Sequence, residues 1–153
     1  MTRAENNQIC QTMEQLLALG TRQLAEAGIE SPRREARLLL TYALGLTPEQ
    51  MLSRSPRDMV PEQPFLGYLA RRVQREPMAF ITGSQGFWTL DLAVSPATLV
   101  PRGDSETLLS CLLDYCPETQ RANAMLDLGT GTGCLLLACL LYTSPSPRDM
   151  RRS

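Results

Sequence analysis

Five consecutive positions, Gly129-Thr130-Gly131-Thr132-Gly133, constrain this chain more than any other stretch. The apolar run Ala124-Met125-Leu126-Asp127-Leu128 precedes them, and the uncharged run from Cys134 to Leu141 follows. A buried strand, a glycine turn and a helix start in that order describe the first βα unit of a doubly wound α/β domain. Ligands of such sheets sit beyond the carboxyl ends of the strands, where this turn falls. Glycine lets backbone approach a ligand with no Cβ in the way, and the helix start offers unpaired N–H groups to electronegative atoms.

The spacing sorts the ligands. A dinucleotide turn needs glycine at the first, third and sixth positions, and from Gly129 the sixth is Cys134. A phosphate loop ends in Gly-Lys-Ser or Gly-Lys-Thr, and the chain has no lysine. What remains is Asp127-x-Gly129-x-Gly131-x-Gly133. A carboxylate at the strand end repels a pyrophosphate but favours a ligand bearing an ammonium and a sulfonium, which suits S-adenosylmethionine. The candidate cofactor-binding residues are therefore Asp127, Gly129, Thr130, Gly131, Thr132 and Gly133. A glycine turn that closes an ordinary βα unit, without a ligand, is the alternative this loop alone leaves open.

Composition excludes several other classes. Hydrophobic residues make up 43% and charged residues 20% of the 153 positions, the balance of a globular chain. A formal net charge of −1 gives no bulk attraction for nucleic acid, so no direct nucleic-acid partner is expected. Histidine is absent, which removes the commonest general base and the commonest metal ligand. No metal site is expected. The five cysteines, Cys10, Cys111, Cys116, Cys134 and Cys139, form no CxxC pair, and their odd number suggests reduced thiols in the cytosol. Met1 to Gln8 is polar and Cys134 to Tyr142 is too short to span a bilayer, so the expectation is a soluble cytoplasmic protein away from membranes.

Along the chain, the first 76 residues read as helices. Ile9, Met13, Leu16, Leu17 and Leu24 fall at helical spacing, and Gly28 supplies a stop. Ser31-Pro32 reads as an N-cap with proline at the first helical position, and Leu39, Leu40, Ala43 and Leu44 give a buried stripe up to Gly45. Thr47-Pro48-Glu49-Gln50 is a capping box. A fourth helix carries Phe65, Leu66, Leu69 and Val73 and stops before Pro77. Four such helices predict a small bundle whose leucines are core. Met78 to Thr82 then reads as a strand and Gly83-Ser84-Gln85-Gly86 as a turn. Leu90, Leu92 and Val94 alternate with polar or small residues as a second strand. Asp104 is a candidate N-cap for a helix with Leu108, Leu109, Leu112 and Leu113 inward, ending near Cys116-Pro117.

Several of these stretches coincide with one family. Arg71-Arg72, Arg75-Glu76-Pro77-Met78-Ala79-Phe80-Ile81-Thr82-Gly83, Phe87-Trp88-x-Leu90 and Val94-x-Pro96 are followed by Leu99-Val100-Pro101-Arg102-x-Asp104-x-Glu106 and by Met125 to Cys134. In this combination the chain resembles the HemK family of release-factor glutamine methyltransferases over roughly residues 8 to 140. The resemblance implies an α/β protein: an all-α helical bundle over 1–77, a β-hairpin linker over 78–101, and over 102–141 the start of a class I, Rossmann-like methyltransferase domain. It implies S-adenosylmethionine as cofactor and bacterial class 1 release factors as partners, docked with help from the bundle. It further implies methyl transfer to the side-chain amide nitrogen of the glutamine in their Gly-Gly-Gln loop. The family usually has proline and threonine at Gly103 and Ser105, so the turn before Asp104 is looser here. A sister family that methylates a large-subunit ribosomal protein shares much of this pattern but usually lacks the Asp-x-Glu arrangement of Asp104 and Glu106.

The resemblance also exposes what these residues lack. A glutamine amide nitrogen is a poor nucleophile, and the family orients it with an Asn-Pro-Pro-Tyr loop. No such loop occurs, the last asparagine being Asn123, so no catalytic residue is assigned. Tyr142-Thr143-Ser144-Pro145-Ser146-Pro147 and the basic end to Ser153 read as a non-native tail over 142–153. The expectation is a methyltransferase cut off after its glycine loop, folded through its bundle, marginal over 105–141, monomeric and inactive by itself. Two alternatives stand beside it: a non-catalytic helical module that docks release factors, and a nicotinamide-dependent oxidoreductase fragment, which Cys134 disfavours.

Overall fold

The computed structural model of the chain describes residues 9–115 and 126–143. The polar start, the expected end of the Asp104 helix at Cys116-Pro117, Ala124 and Met125, and the tail from Ser144 lie outside the described residues. Two units are distinguished, Met1–Thr82 and Gly83–Ser153.

In the first unit β1 (Cys10–Thr12) runs antiparallel to β2 (Met59–Pro61), with Gln11 opposite Val60. Helix α1 (Met13–Glu26) begins where Thr12 and Gln15 cap each other: Gln15 N donates to Thr12 Oγ1 at 3.3 Å and Thr12 N donates to Gln15 Oε1 at 3.1 Å. The spacing had placed Ile9 on this helix, but Ile9 precedes β1 and is 62% exposed. Helix α2 (Pro32–Ala43) starts at its proline, though the Ser31 side chain makes no capping bond. Helix α3 (Pro48–Ser53) opens on the capping box of Thr47 and Gln50, and α4 (Phe65–Val73) ends before Pro77. Leu16, Leu24, Leu39, Leu40 and Phe65 are fully buried together. Each such side chain contributes about 1.5–3 kcal/mol by leaving water. Gly20 sits at the closest approach, since a Cβ there would lie 2.9 Å from Phe65 Cζ and 3.1 Å from the Ala36 Cβ.

Met78–Thr82 is not a strand but a short helix, α5. Its backbone winds back on Pro77, with Phe80 N donating to the Pro77 carbonyl at 3.0 Å. Proline pre-sets the dihedral of a first helical turn. Burial of Ala79 and Ile81 then overrides the strand preference of Ile81 and Thr82.

In the second unit β3 (Ser84–Phe87) and β4 (Leu90–Ala93) form an antiparallel hairpin, with Phe87 opposite Leu90. The turn therefore falls on Trp88 and Thr89, not on Gly83–Gly86. Helices α6 (Asp104–Tyr115) and α7 (Cys134–Thr143) pack with the hairpin around Phe87, Leu92, Leu109, Ala138 and Cys139. Only part of the expected inward face of α6 is covered: Leu109 is buried, whereas Leu108 is 60% exposed.

Leu126–Leu128, expected as the end of a buried strand, is irregular and turning, with Leu126 81% and Leu128 85% exposed. An inner strand of a parallel sheet needs paired neighbours for its N–H and C=O groups. Among the described residues no strand pairs with it. The described part is thus a mixture of helices and two small antiparallel sheets, and within it no helix is long and apolar enough to cross a membrane.

Candidate functional site

The glycine turn forms as a tight local structure ahead of α7. Gly129, Gly131 and Gly133 have φ of 78°, 54° and 75°, the left-handed region that favours glycine. This alternation explains why glycine recurs at every second position. Gly133 N donates to the Thr130 carbonyl at 2.7 Å, closing the turn, and Leu137 N donates to the Gly133 carbonyl at 2.9 Å, starting the helix. Around Gly129 the space a Cβ would enter is open, and at Gly133 a Cβ would meet only Leu137, at 3.7 Å.

Gly129, Thr130 and Gly131 are exposed, whereas Asp127, Thr132 and Gly133 are half-buried. The Thr132 Oγ1 atom is buried, with no hydrogen-bond partner among the described residues. Buried hydroxyls ordinarily find a partner, so this oxygen is an exception among the described residues. Asp127 lies close enough to α7 to act on Cys139: burial pushes that thiol up, and the Asp127 charge adds to the rise. Asp127 and the five loop residues thus lie together at the start of one helix. No catalytic residue was expected, and none is assigned.

The segment ahead of the loop has a mechanical role. Trp88, at the tip of the hairpin, has φ of 55°, an unfavourable dihedral for a bulky residue. Its N–H donates to Glu106 Oε1 at 2.8 Å, so the carboxylate of α6 holds the hairpin turn. Arg102 and Gly103 carbonyls accept from Ser105 N and Glu106 N at 3.0 and 2.9 Å, winding the first turn of α6. Gly103 is not among the left-handed glycines, so its backbone makes no demand that only glycine meets.

The arginine pair ahead of Pro77 is likewise occupied. Arg71 Nε and Nη2 donate to both Glu76 oxygens at 2.8 and 2.6 Å, and Nη2 also reaches the Phe80 carbonyl at 3.2 Å. Arg72 holds Glu35 of α2 through two bonds and donates to the Glu76 carbonyl at 2.9 Å. These contacts push both guanidiniums further up, and Arg71 holds the Glu76 carboxyl below its usual range. Arg75, with φ of 64°, donates to the Ala27 carbonyl at 2.8 Å. Sequence spacing does not show these roles: Glu35 lies 37 residues from Arg72, and Ala27 lies 48 residues from Arg75. The Thr12-x-x-Gln15 capping box, by contrast, is a signal that sequence spacing does carry.

Comparisons with known proteins agree on one neighbourhood. Residues 15–83 match the model of the PrmC N-terminal domain. A protein of Rhodospirillum rubrum named release factor glutamine methyltransferase is 43% identical over 142 residues, which are 90% of this chain and 42% of that protein. Proteins of the same name from Vibrio cholerae and Escherichia coli are each 43% identical, over 83% and 71% of this chain and 44% and 39% of theirs. The chain spans less than half the length of these curated relatives.

Proposed function

We propose that the chain serves the reaction of the release factor glutamine methyltransferases, supported by its similarity to them over most of its length and by the match of residues 15–83 to the PrmC N-terminal domain. That reaction is transfer of a methyl group from S-adenosylmethionine to the amide nitrogen of the glutamine in the Gly-Gly-Gln loop of bacterial class 1 release factors. The observation that carries the reading is the left-handed alternation of Gly129, Gly131 and Gly133 beside the Thr132 hydroxyl, which has no partner among the described residues. It stands downstream of the Arg102-x-Asp104-x-Glu106 segment that belongs to the same resemblance.

In this reading residues 1–77 dock the release factor, 78–101 link, and 102–141 open a class I methyltransferase domain in the cytoplasm. S-adenosylmethionine supplies the electrophilic methyl group when bound. Asp127 would favour its cationic amino-acid end, the exposed backbone of Gly129, Thr130 and Gly131 would hold it, and Thr132, whose hydroxyl has no partner among the described residues, would offer a hydrogen bond. The positive end of α7 would favour the cofactor's oxygens. These 153 residues include no Asn-Pro-Pro-Tyr loop that would orient the amide nitrogen, so alone they do not methylate.

A chimera tests the proposal. Residues 1–141 replace the matching portion of the Escherichia coli relative, and methyl incorporation from labelled S-adenosylmethionine into a class 1 release factor is measured. Incorporation at the Gly-Gly-Gln glutamine is expected, with loss on Gly131→Val, because a branched side chain opposes the left-handed dihedral. A folded chimera that methylates no release factor, or one indifferent to Gly131→Val, contradicts it.

A further inference from the structure

Helix α2 carries an electrostatic conflict in its first turns. Arg33 and Arg34 follow Pro32 directly and Arg37 lies one turn on, where the positive end of the helix dipole disfavours cations. Glu35, the acid placed to offset them, is taken by Arg72. All three arginines are exposed, and none of them joins an ion pair among the described residues. Helical spacing carries this outward face on through Leu38, 46% exposed, to Tyr42, 42% exposed. The Tyr42 ring leans on Tyr68 at 5.2 Å, which fixes its position. Arginine and tyrosine beside an exposed leucine is the make-up of interface anchors. A local rule broken without compensation is typical of a working surface.

We propose that the outward face of α2 docks an acidic protein segment that seats an apolar side chain beside Leu38. Carboxylates there neutralise three arginines and the helix's positive end together, with charge-assisted hydrogen bonds. A protein partner fits better than nucleic acid. The net charge of −1 provides no long-range pull on a polyanion, and Leu38 stands between the arginines and Tyr42, where a phosphate backbone offers it nothing. The inference rests on reading residues 1–77 as a docking domain and adds which face docks and what chemistry it takes.

The test compares the full chain with two variants, Arg33→Gln/Arg34→Gln/Arg37→Gln and Leu38→Ala, each checked for helix content by circular dichroism. Fluorescence anisotropy follows three probes: a glutamate-rich amphipathic peptide with leucine at helical spacing, a class 1 release factor, and a single-stranded RNA oligonucleotide. The peptide is expected to bind the full chain, to lose on the order of tenfold in affinity in the triple variant, and to lose severalfold with Leu38→Ala. Absent peptide binding, or binding that the triple variant leaves unchanged, overturns the proposal. So does RNA binding tighter than peptide binding and indifferent to Leu38. A release factor held equally by the full chain and the triple variant removes this face while the docking reading stands. Peptide binding through the face without any release-factor binding supports the face and removes the docking reading.

Discussion

In the first unit Leu16, Leu24, Leu39 and Leu40 are fully buried, while in the second Leu108, Leu126 and Leu128 stand more than half in water. Both regions are rich in leucine, so hydrophobicity does not separate them. Partners do. The helices of residues 9–82 close a core around Phe65, and salt bridges from α2, α4 and the turn before α5 lock that core from outside. The described residues of the second unit form a hairpin and two helices around a smaller cluster. Their glycine turn is well formed locally, yet the segment feeding it finds no strand to pair with among the described residues. Local geometry can be complete where the surrounding sheet is not.

The largest expected effect separates the two cores. Phe65→Ala should lower the stability of the main unfolding transition by about 3–5 kcal/mol in urea denaturation, as a deep core truncation does. Leu109→Ala should leave that transition where it is and affect only the signal of the second unit. Equal losses from both variants would show one cooperative core and break the comparison.

A smaller loss is expected at the outer lock. Arg72→Ala strands Glu35 and the Glu76 carbonyl, and should cost about 1.5–3 kcal/mol by the ordinary worth of hydrogen bonds to charged groups. Arg72→Lys should recover only part of it, since an ammonium cannot make the paired contact. Full recovery by lysine would reduce the lock to simple charge attraction.

Acid sharpens the same point. The Glu76 carboxyl is held below its usual range by Arg71, so between that lowered value and the usual range the unfolded chain binds more protons than the folded one. Its contribution is therefore complete above the usual carboxylate range and fades as pH falls through the lowered value. Glu76→Gln should flatten the acid limb of the first unit's stability curve. An unchanged limb would assign the acid sensitivity elsewhere.

Much of the first unit was legible because its signals are local. Thr47 with Gln50, Gly28, Gly45 and the spacing of Leu16, Leu24, Leu39 and Leu40 each act within a few residues. The pairing of Gln11 with Val60 escaped, because strands of three residues separated by four dozen positions leave no pattern. Met78–Thr82 forms a helix against its strand pattern because Pro77 and the burial of Ile81 outweigh strand preference. The positions of the candidate loop followed from the glycine spacing. The irregular course of Leu126–Leu128 did not, since a parallel strand exists only through its neighbours.

Titration calorimetry of S-adenosylmethionine into the 153-residue chain tests the central claim most directly. The turn from Gly129 to Gly133 is well formed locally, but among the described residues no strand pairs with the segment that leads into it. The account predicts no saturable heat at micromolar cofactor. A micromolar, stoichiometric isotherm that Gly131→Val abolishes would contradict it, because the loop would then bind without its sheet.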